Sequence, residues 1–394
     1  MERPTIIPEG VIDLKIMLAP DSFKGSLGAA EAAESMEKGI RKVLPGAEIV
    51  KIPLSDGGEG LVETLVRATG GEFLYKRVTG PLGEPVEACW GILGGRDTAV
   101  IEMASASGLS LVPEDQRCPL HTTTYGTGEL IKEALGRACK RIILGIGGSA
   151  TNDGGAGMAQ ALGAKLTDES GAELPFGGAA LCGLAGIDVS SLDARIKGVD
   201  VQVACDVDNP LTGPRGASMV YGPQKGGSPE TLRRLDSCLS RYAFIVSRDL
   251  GVDVEHVPGS GAAGGLGAGC LAFLNARLES GIELVIDAVG LEKELATCDL
   301  VITGEGKLDS QSIHGKVPIG VARLGKKHQV PVIILAGSVE EGLEYLYEEG
   351  VTAYFSIINA PLSVEAAVDN TARLLEMTTA QVLNLVKSCS DIKK

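Results

Sequence analysis

The sequence predicts an α/β protein in which a doubly wound parallel sheet is interrupted by a second, inserted α/β domain. Three observations predict it. Short apolar strands alternate with amphipathic helices at the N-terminal end, the same rhythm returns at the C-terminal end, and closely spaced β-like stretches separate the two.

In chain order, an apolar strand is expected from Leu14 to Pro20, then a polar loop and an amphipathic helix from about Leu27 to Leu44. A second strand, from Glu48 to Leu54, leads through Ser55-Asp56-Gly57-Gly58-Glu59-Gly60 to a helix from Leu61 to Thr69, with Leu61, Leu65 and Val66 on one face. Toward the other end come a strand from Leu300 to Thr303, a helix from Val317 to His328, strands from Val332 to Ala336 and Ala353 to Ile358, and one final helix from about Ser363 to Lys387. Right-handed crossovers favour a five-stranded order of flavodoxin type for these strands.

The middle breaks the rhythm. Three β-like stretches between Phe73 and Ala104, with turn signals at Gly80-Pro81-Leu82-Gly83 and Gly94-Gly95, suit a mixed sheet. Strands from Arg141 to Gly145 and Val201 to Ala204 follow, with helices near Tyr125 to Gly136 and Pro229 to Leu250. The expected division is a flavodoxin-like domain of residues 12–78 and 290–394 and an inserted α/β domain of residues 79–289. A hinge is expected near 75–80 and 288–296, with a cleft between the domains.

Composition narrows the function. Of 394 residues, 44% are hydrophobic and 22% charged, as in a globular protein, and no apolar run approaches the roughly 18 residues that cross a bilayer. The start, Met1-Glu2-Arg3-Pro4-Thr5, has no basic region feeding an apolar stretch, so a cytoplasmic location is expected. The nine cysteines stand singly, without a C-x-x-C pair, so they are expected to be reduced thiols rather than a disulfide framework or zinc ligands. A formal charge of −15 argues against nucleic acid, whose binding depends on lysine and arginine. A small polyanion remains compatible, because backbone N–H groups and helix N-termini create local positive fields.

Ligands of open parallel sheets sit outside the carboxyl ends of strands. That rule selects Asp21-Ser22-Phe23-Lys24-Gly25-Ser26, then Asp56-Gly57-Gly58-Glu59, then Gly304-Glu305-Gly306-Lys307-Leu308-Asp309, all expected on one edge. Asp21 and Ser26 could equally cap a helix. In the inserted domain, Gly145 to Gly157 follows a strand and opens a helix. Its glycines let the backbone approach an anion, so Gly147, Gly148, Ser149, Thr151, Asn152 and Asp153 are candidate nucleotide contacts, Asp153 also a metal contact. A tight turn for close helix packing is the plainer alternative. The segment Gly259 to Gly267, with Gly261 and Gly264, fits G-x-G-x-x-G but lacks a preceding apolar strand. Gly145-x-Gly147-x-x-Ala150 has that strand and keeps an NAD-dependent hydroxy-acid dehydrogenase open, although Asn152-Asp153 stands where an apolar helix start is usual. Cys205-Asp206-Val207-Asp208-Asn209-Pro210-Leu211 ends a buried strand with groups suited to magnesium or to accepting a hydroxyl proton, against a simple Asn-Pro turn.

Other chemistries lack their motifs. No Gly-Lys pair is followed by Ser or Thr, so there is no Walker A loop, and V-A-I-K, H-R-D and G-x-S-x-G are absent. The four histidines lie in separate contexts; His314 stands out because it follows the third edge loop.

Taken together, Ala19-Pro20-Asp21-Ser22-Phe23-Lys24, Asp56-Gly57-Gly58-Glu59-Gly60, Gly147 to Gly155, Cys205 to Leu211, Gly261-Ala262-Ala263-Gly264-Gly265 and Thr303-Gly304-Glu305-Gly306 resemble, in order, the motifs of the bacterial glycerate kinases that form 2-phosphoglycerate. The resemblance runs from about residue 14 to residue 388. It implies ATP, Mg²⁺ and D-glycerate, a flavodoxin-like domain interrupted by a second α/β domain, and a site in the cleft.

Chemistry then suggests roles, since phosphoryl transfer needs positioning, charge neutralisation and a base near the attacking hydroxyl. Asp206 is the expected base, with Lys24 and Asp56 as further catalytic candidates. The Gly147 to Asp153 loop, with Gly261 and Gly264, is expected to hold the nucleotide; Asp21, Ser22, Lys24, Asn209 and His314 the glycerate; and Glu305 and Asp309 the magnesium. A kinase forming 3-phosphoglycerate and a non-catalytic nucleotide sensor are the other readings, and a second copy of the chain is a candidate partner.

Overall fold

The computed structural model describes residues 14–55, 57–58, 60–313 and 315–392, so Asp56, Glu59 and His314 lie outside the described residues. Their strands are β1 (Lys15–Leu18), β2 (Glu48–Lys51), β3 (Glu72–Thr79), β4 (Pro85–Ile92), β5 (Thr98–Glu102), β6 (Arg141–Gly145), β7 (Lys165–Thr167), β8 (Gly186–Asp188), β9 (Asp200–Ala204), β10 (Arg277–Glu279), β11 (Leu300–Leu308), β12 (Val332–Val339) and β13 (Val351–Ser356). The chain divides into two compact units, residues 1–56 with 285–394 and residues 57–284.

The first unit holds a five-stranded sheet in the order β13-β12-β11-β1-β2, every pairing parallel. This is the flavodoxin-type order the βα rhythm predicts. Alternation along the strands splits the core. Ile16, Leu18, Leu300, Ile302, Ile333 and Leu335 pack with Met36 and Ile40 of the helix Ala29–Val43 and with Leu375 and Leu383 of the helix Thr371–Ile392. Helix Val317–His328, with Val317, Ile319, Val321 and Ala322 buried, packs on β11, β12 and β13. Burying such side chains contributes roughly 1.5–3 kcal/mol each.

Two expectations change here. The single C-terminal helix is two, Val364–Asp369 and Thr371–Ile392, separated at Asn370, whose side chain donates back to the Ala366 carbonyl and competes with the helical ladder. The strand expected to end at Thr303 continues to Leu308, so Glu305, Gly306 and Lys307 are strand residues rather than loop residues. Glycine reads as a turn signal, but at Gly304 it permits close approach: a Cβ there would lie 2.2 Å from the Leu335 carbonyl oxygen.

The second unit holds a six-stranded mixed sheet in the order β10-β9-β6-β5-β4-β3 and a small β7-β8 ribbon. β3, β4 and β5 are antiparallel neighbours; β5, β6, β9 and β10 run parallel. The division falls at 56/57 and 284/285 rather than at 78/79 and 289/290. The reason is packing: helix Leu61–Thr69 rests on β4 and β5, and β3 pairs with β4 along its whole length, so both belong with the mixed sheet. Helix Pro229–Leu250 starts where the Ser228 hydroxyl accepts from the Thr231 N–H and ends at Gly251 in the left-handed region. Its Cys238 forms a disulfide with Cys182, which corrects the expectation that every thiol is reduced. The chain brings these two cysteines together across 56 residues of separation, a pairing that spacing does not encode.

The segment Gly259 to Gly267 leads into a helix through a left-handed turn at Ala263, Gly264 and Gly265 (φ 54°, 68° and 87°). A Cβ on Gly264 would lie 1.9 Å from the Thr151 carbonyl oxygen. Gly264→Ala is therefore expected to lower stability by about 3 kcal/mol, from the clash and the left-handed strain together. A thermal midpoint equal to that of the unsubstituted chain would contradict this packing.

Candidate active site

In the second unit the parallel register aligns the strand ends: Glu102 lies beside Gly145, Gly145 beside Ala204 and Ala204 beside Glu279. The residues just beyond form one row at the carboxyl edge: Ser105 after β5, Gly147-Gly148 after β6, Asp206 after β9, and Ser280-Gly281 after β10. A cavity of about 340 Å³ opens on this edge, lined by Gly58, Glu102, Ser105, Ser110, Gly147 and Gly148 among others. The Glu102 carboxylate accepts from the Val62 N–H at 2.7 Å, at the start of a helix, and the Ser105 hydroxyl donates to the Glu102 carbonyl at 2.8 Å.

The glycine-rich loop after β6 is layered. Gly147 and Gly148 are exposed, with Gly148 in the left-handed region (φ 72°), and form its open turn. Ser149 is 7% exposed, and Thr151, Asn152 and Asp153 are fully buried. The Asp153 carboxylate accepts from Thr124 N and Oγ1, Gly155 N and Gly157 N at 2.8–3.3 Å. Burial still pushes its pKa above the usual carboxylate range, against the pull of those donors. Thr151, Asn152 and Asp153, expected to contact a nucleotide or metal, thus stand inside the loop, behind the open turn. Gly261 and Gly264 lie behind it as well. Both are buried, with the Gly261 N–H donating to the Asn209 carbonyl and the Gly154 N–H donating to the Gly264 carbonyl, so they brace neighbouring loops from behind.

Asp206 is exposed, and its Oδ1 accepts from Ser280 Oγ and Gly281 N, each at 3.0 Å. These contacts fix the carboxylate at the edge. Asn209 is turned inward to its own loop: its amide donates to the Arg215 carbonyl at 2.7 Å and its oxygen accepts from Tyr221 at 2.6 Å. Both bonds shape its own loop. Lys225, at the end of a short turn, is 1% exposed and reaches Ser149 Oγ at 2.7 Å and the Thr151 carbonyl at 2.6 Å.

In the first unit, Asp21 is buried, its N–H donating to the Gly304 carbonyl and its Oδ1 accepting from the Ser22 N–H at 2.6 Å. Ser22 is half-buried and Lys24 exposed on the turn that follows. Neither Asp21 nor Ser26 caps the next helix; the N-cap is Gly28, and the Ser26 hydroxyl bonds Val368 and Thr371. The Glu305 carboxylate pairs with Lys316 at 2.9 Å and accepts from Ser312 Oγ at 2.9 Å, while Asp309 pairs with Lys316 and Lys307, each at 3.2 Å. Burial raises the Glu305 pKa, with Lys316 opposing. At Asp309 burial acts in the same direction, but the two lysines outweigh it and hold the carboxyl below its ordinary range.

Glu305 and Asp309 therefore do not fit a magnesium site as they stand, because Lys316 occupies the position between them. No group of three or more His, Cys, Asp or Glu among the described residues is arranged to hold a metal. The lining residues Glu102, Ser105 and Ser110 escaped sequence reasoning, although the strand-end rule would have found the first two. Lys225 gave no signal, since Pro223-Gln224-Lys225-Gly226-Gly227 has the composition of a surface turn.

A parallel sheet with polar loops aligned at its carboxyl edge, one of them an open glycine turn, defines an α/β protein of the class that binds small anionic ligands there. The chain belongs to the glycerate kinase family: the sequence model of the Glycerate kinase family matches residues 16–387. It is 53% identical over 374 residues to a protein of Bacillus subtilis (strain 168) named glycerate kinase, covering 95% of this chain and 98% of that protein. It is 55% identical over 347 residues to the glycerate 2-kinase of Escherichia coli (strain K12), covering 88% and 91%. A crystal structure from Salmonella typhimurium LT2, of a protein provisionally named glycerate kinase 2, superposes with a TM-score of 0.88 at 52% identity, over 96% of this chain and 100% of that one. The dehydrogenase alternative is not favoured.

The Lys316 contacts make a prediction. In Lys316→Met the buried Glu305 carboxylate loses its cation, which should cost about 2 kcal/mol at neutral pH, less than a fully buried pair because Lys316 is partly exposed. The folded Glu305 pKa then lies further above its unfolded value, so protonation favours the folded state and the loss should shrink as pH falls toward the carboxylate range. Thermal melts of variant and unsubstituted chain across pH test this; a pH-independent gap would refute it.

Proposed function

We propose that the chain transfers the terminal phosphoryl group of ATP to glycerate, with oxygen 2 as the acceptor. The observation that carries the reading is the open Gly147-Gly148 turn, aligned with Asp206 along one strand edge, in a chain of the glycerate kinase family. The acceptor oxygen follows the name of the Escherichia coli relative.

The Gly147-Gly148 N–H groups would hold nucleotide phosphates, where no side chain keeps the anion away. Ser105 and Ser110, lining the same cavity, offer hydroxyl donors. Asp206 would accept the proton of the attacking glycerate hydroxyl as the new O–P bond forms and the bond to the leaving ADP oxygen breaks. Its anchoring by Ser280 and Gly281 supports this role, because a base must be held within hydrogen-bond reach. Lys24 and Ser22 would hold the glycerate carboxylate, Lys24 as an exposed cation and Ser22 as a donor. Asp56 and His314 remain part of this proposal. Mg²⁺ would enter with the nucleotide phosphates, as is usual for an ion that keeps most of its waters. No helix among the described residues is long and apolar enough to cross a membrane. A cytoplasmic location and a homodimer complete the proposal.

A coupled assay of ADP release across small hydroxy acids should give turnover with glycerate, and phosphorus NMR of the product should report the 2-phosphate. Consumption of NAD, or a 3-phosphate product, would overturn the reading. Asp206→Asn should lower kcat about a hundred- to ten-thousand-fold while ADP binding, measured by calorimetry, persists. Unchanged turnover would remove Asp206 as the base.

A further inference from the structure

We propose that Lys225 is a positioning residue for nucleotide binding: it holds a buried ammonium behind the Gly147-Gly148 turn and delivers its charge to a bound phosphate through the Ser149 hydroxyl. The proposal rests on reading that turn as the phosphate cradle. Its basis is geometric. Lys225 donates to Ser149 Oγ at 2.7 Å and to the Thr151 carbonyl at 2.6 Å. An ammonium donating to Oγ turns the Ser149 O–H away from itself, leaving it free to donate toward the open turn, and hydrogen bonds in such a chain polarise one another.

A lysine that only tied down the Thr151 carbonyl would be a costly choice, because burying an ammonium is unfavourable unless its charge is used. The carboxylate that acts on it, Asp153, already accepts four hydrogen bonds from Thr124, Gly155 and Gly157, and makes no ion pair with Lys225. The ammonium thus has neutral groups as its bonded partners and is offset by the Asp153 charge only at longer range. Two further groups near this cluster supply no anion. Arg117 packs its backbone on Gly226 and is itself a cation, and Tyr242, whose ring lies against Gly154, stays neutral because burial raises its pKa. The turn is fixed to aim the lysine inward: Gly226 is left-handed (φ 87°), and a Cβ there would lie 2.3 Å from the Arg117 carbonyl oxygen.

Burial lowers the Lys225 pKa to about 7, with the Asp153 charge pulling it back up. At neutral pH the ammonium is therefore only partly formed. An anion on the turn favours the charged form, so binding should take up a proton.

The test is calorimetric titration of the full chain with ADP at pH 7.5, in two buffers of different ionisation enthalpy, with the Gly147 and Gly148 amide resonances followed by NMR. The unsubstituted chain is expected to take up a fraction of a proton on binding. Lys225→Met should bind ADP at least tenfold more weakly and lose the uptake. Ser149→Ala, which keeps the lysine but deletes the connecting hydroxyl, should weaken binding and reduce the uptake without depending on whether the first variant folds. Buffer-independent heat in the unsubstituted chain, or unchanged affinity in Ser149→Ala, would overturn the proposal while the cradle reading survives if the two amides shift with ADP. Unmoved amides in the unsubstituted chain would overturn both.

Discussion

The glycine-rich loop of the mixed sheet is shaped from behind, by backbone lying on backbone. Gly264 sits so close to Thr151 that no side chain fits between them, and the Gly154 N–H donates to the Gly264 carbonyl. The left-handed turn at Ala263 to Gly265 exists to make that approach, at the expense of conformations disfavoured for any residue with a Cβ. Once the seam is closed, Thr151, Asn152 and Asp153 are sealed inside and only Gly147-Gly148 faces outward. The seam also leaves Thr151 Oγ1, Asn152 Oδ1 and Ser260 Oγ buried without partners, an unfavourable arrangement of the kind that functional loops tolerate.

The parallel register then does the rest of the assembly. Because Glu102, Gly145, Ala204 and Glu279 are neighbours across the sheet, whatever follows them must meet at one edge. A donor turn, two serines and an anchored carboxylate arrive there from three separate segments of the chain, around Ser105 and Ser110, at Gly147-Gly148 and at Asp206. In the other unit the same architecture yields a different result. Lys316 crosses back to Glu305 and Asp309, so the acidic residues at that strand end form a salt-bridged cluster rather than an open cation site.

Periodicity carries the strands and helices because burial on a sheet or helix face repeats every two or every three to four residues. The helices Leu61–Thr69, Tyr125–Gly136, Pro229–Leu250 and Val317–His328 therefore lie where the sequence puts them. Glycine was the ambiguous letter. At Gly147-Gly148 it marks an open turn, at Gly304 a strand under a close neighbour, and at Gly264 a seam, and composition is the same in all three. The difference is what stands opposite, which belongs to another part of the chain.

By itself, then, the sequence determined the parallel five-stranded order, the mixed character of the inserted sheet, the family and the strand ends at which polar residues gather, all consequences of local pattern and chain order. Tertiary structure decided which of those polar residues are outside. It turned Asn209 and Asp153 inward, paired Glu305 with Lys316, joined Cys182 to Cys238 and brought Lys225 beneath Ser149. Burial and pairing are set by residues distant in the chain, so no window of sequence around a motif contains them.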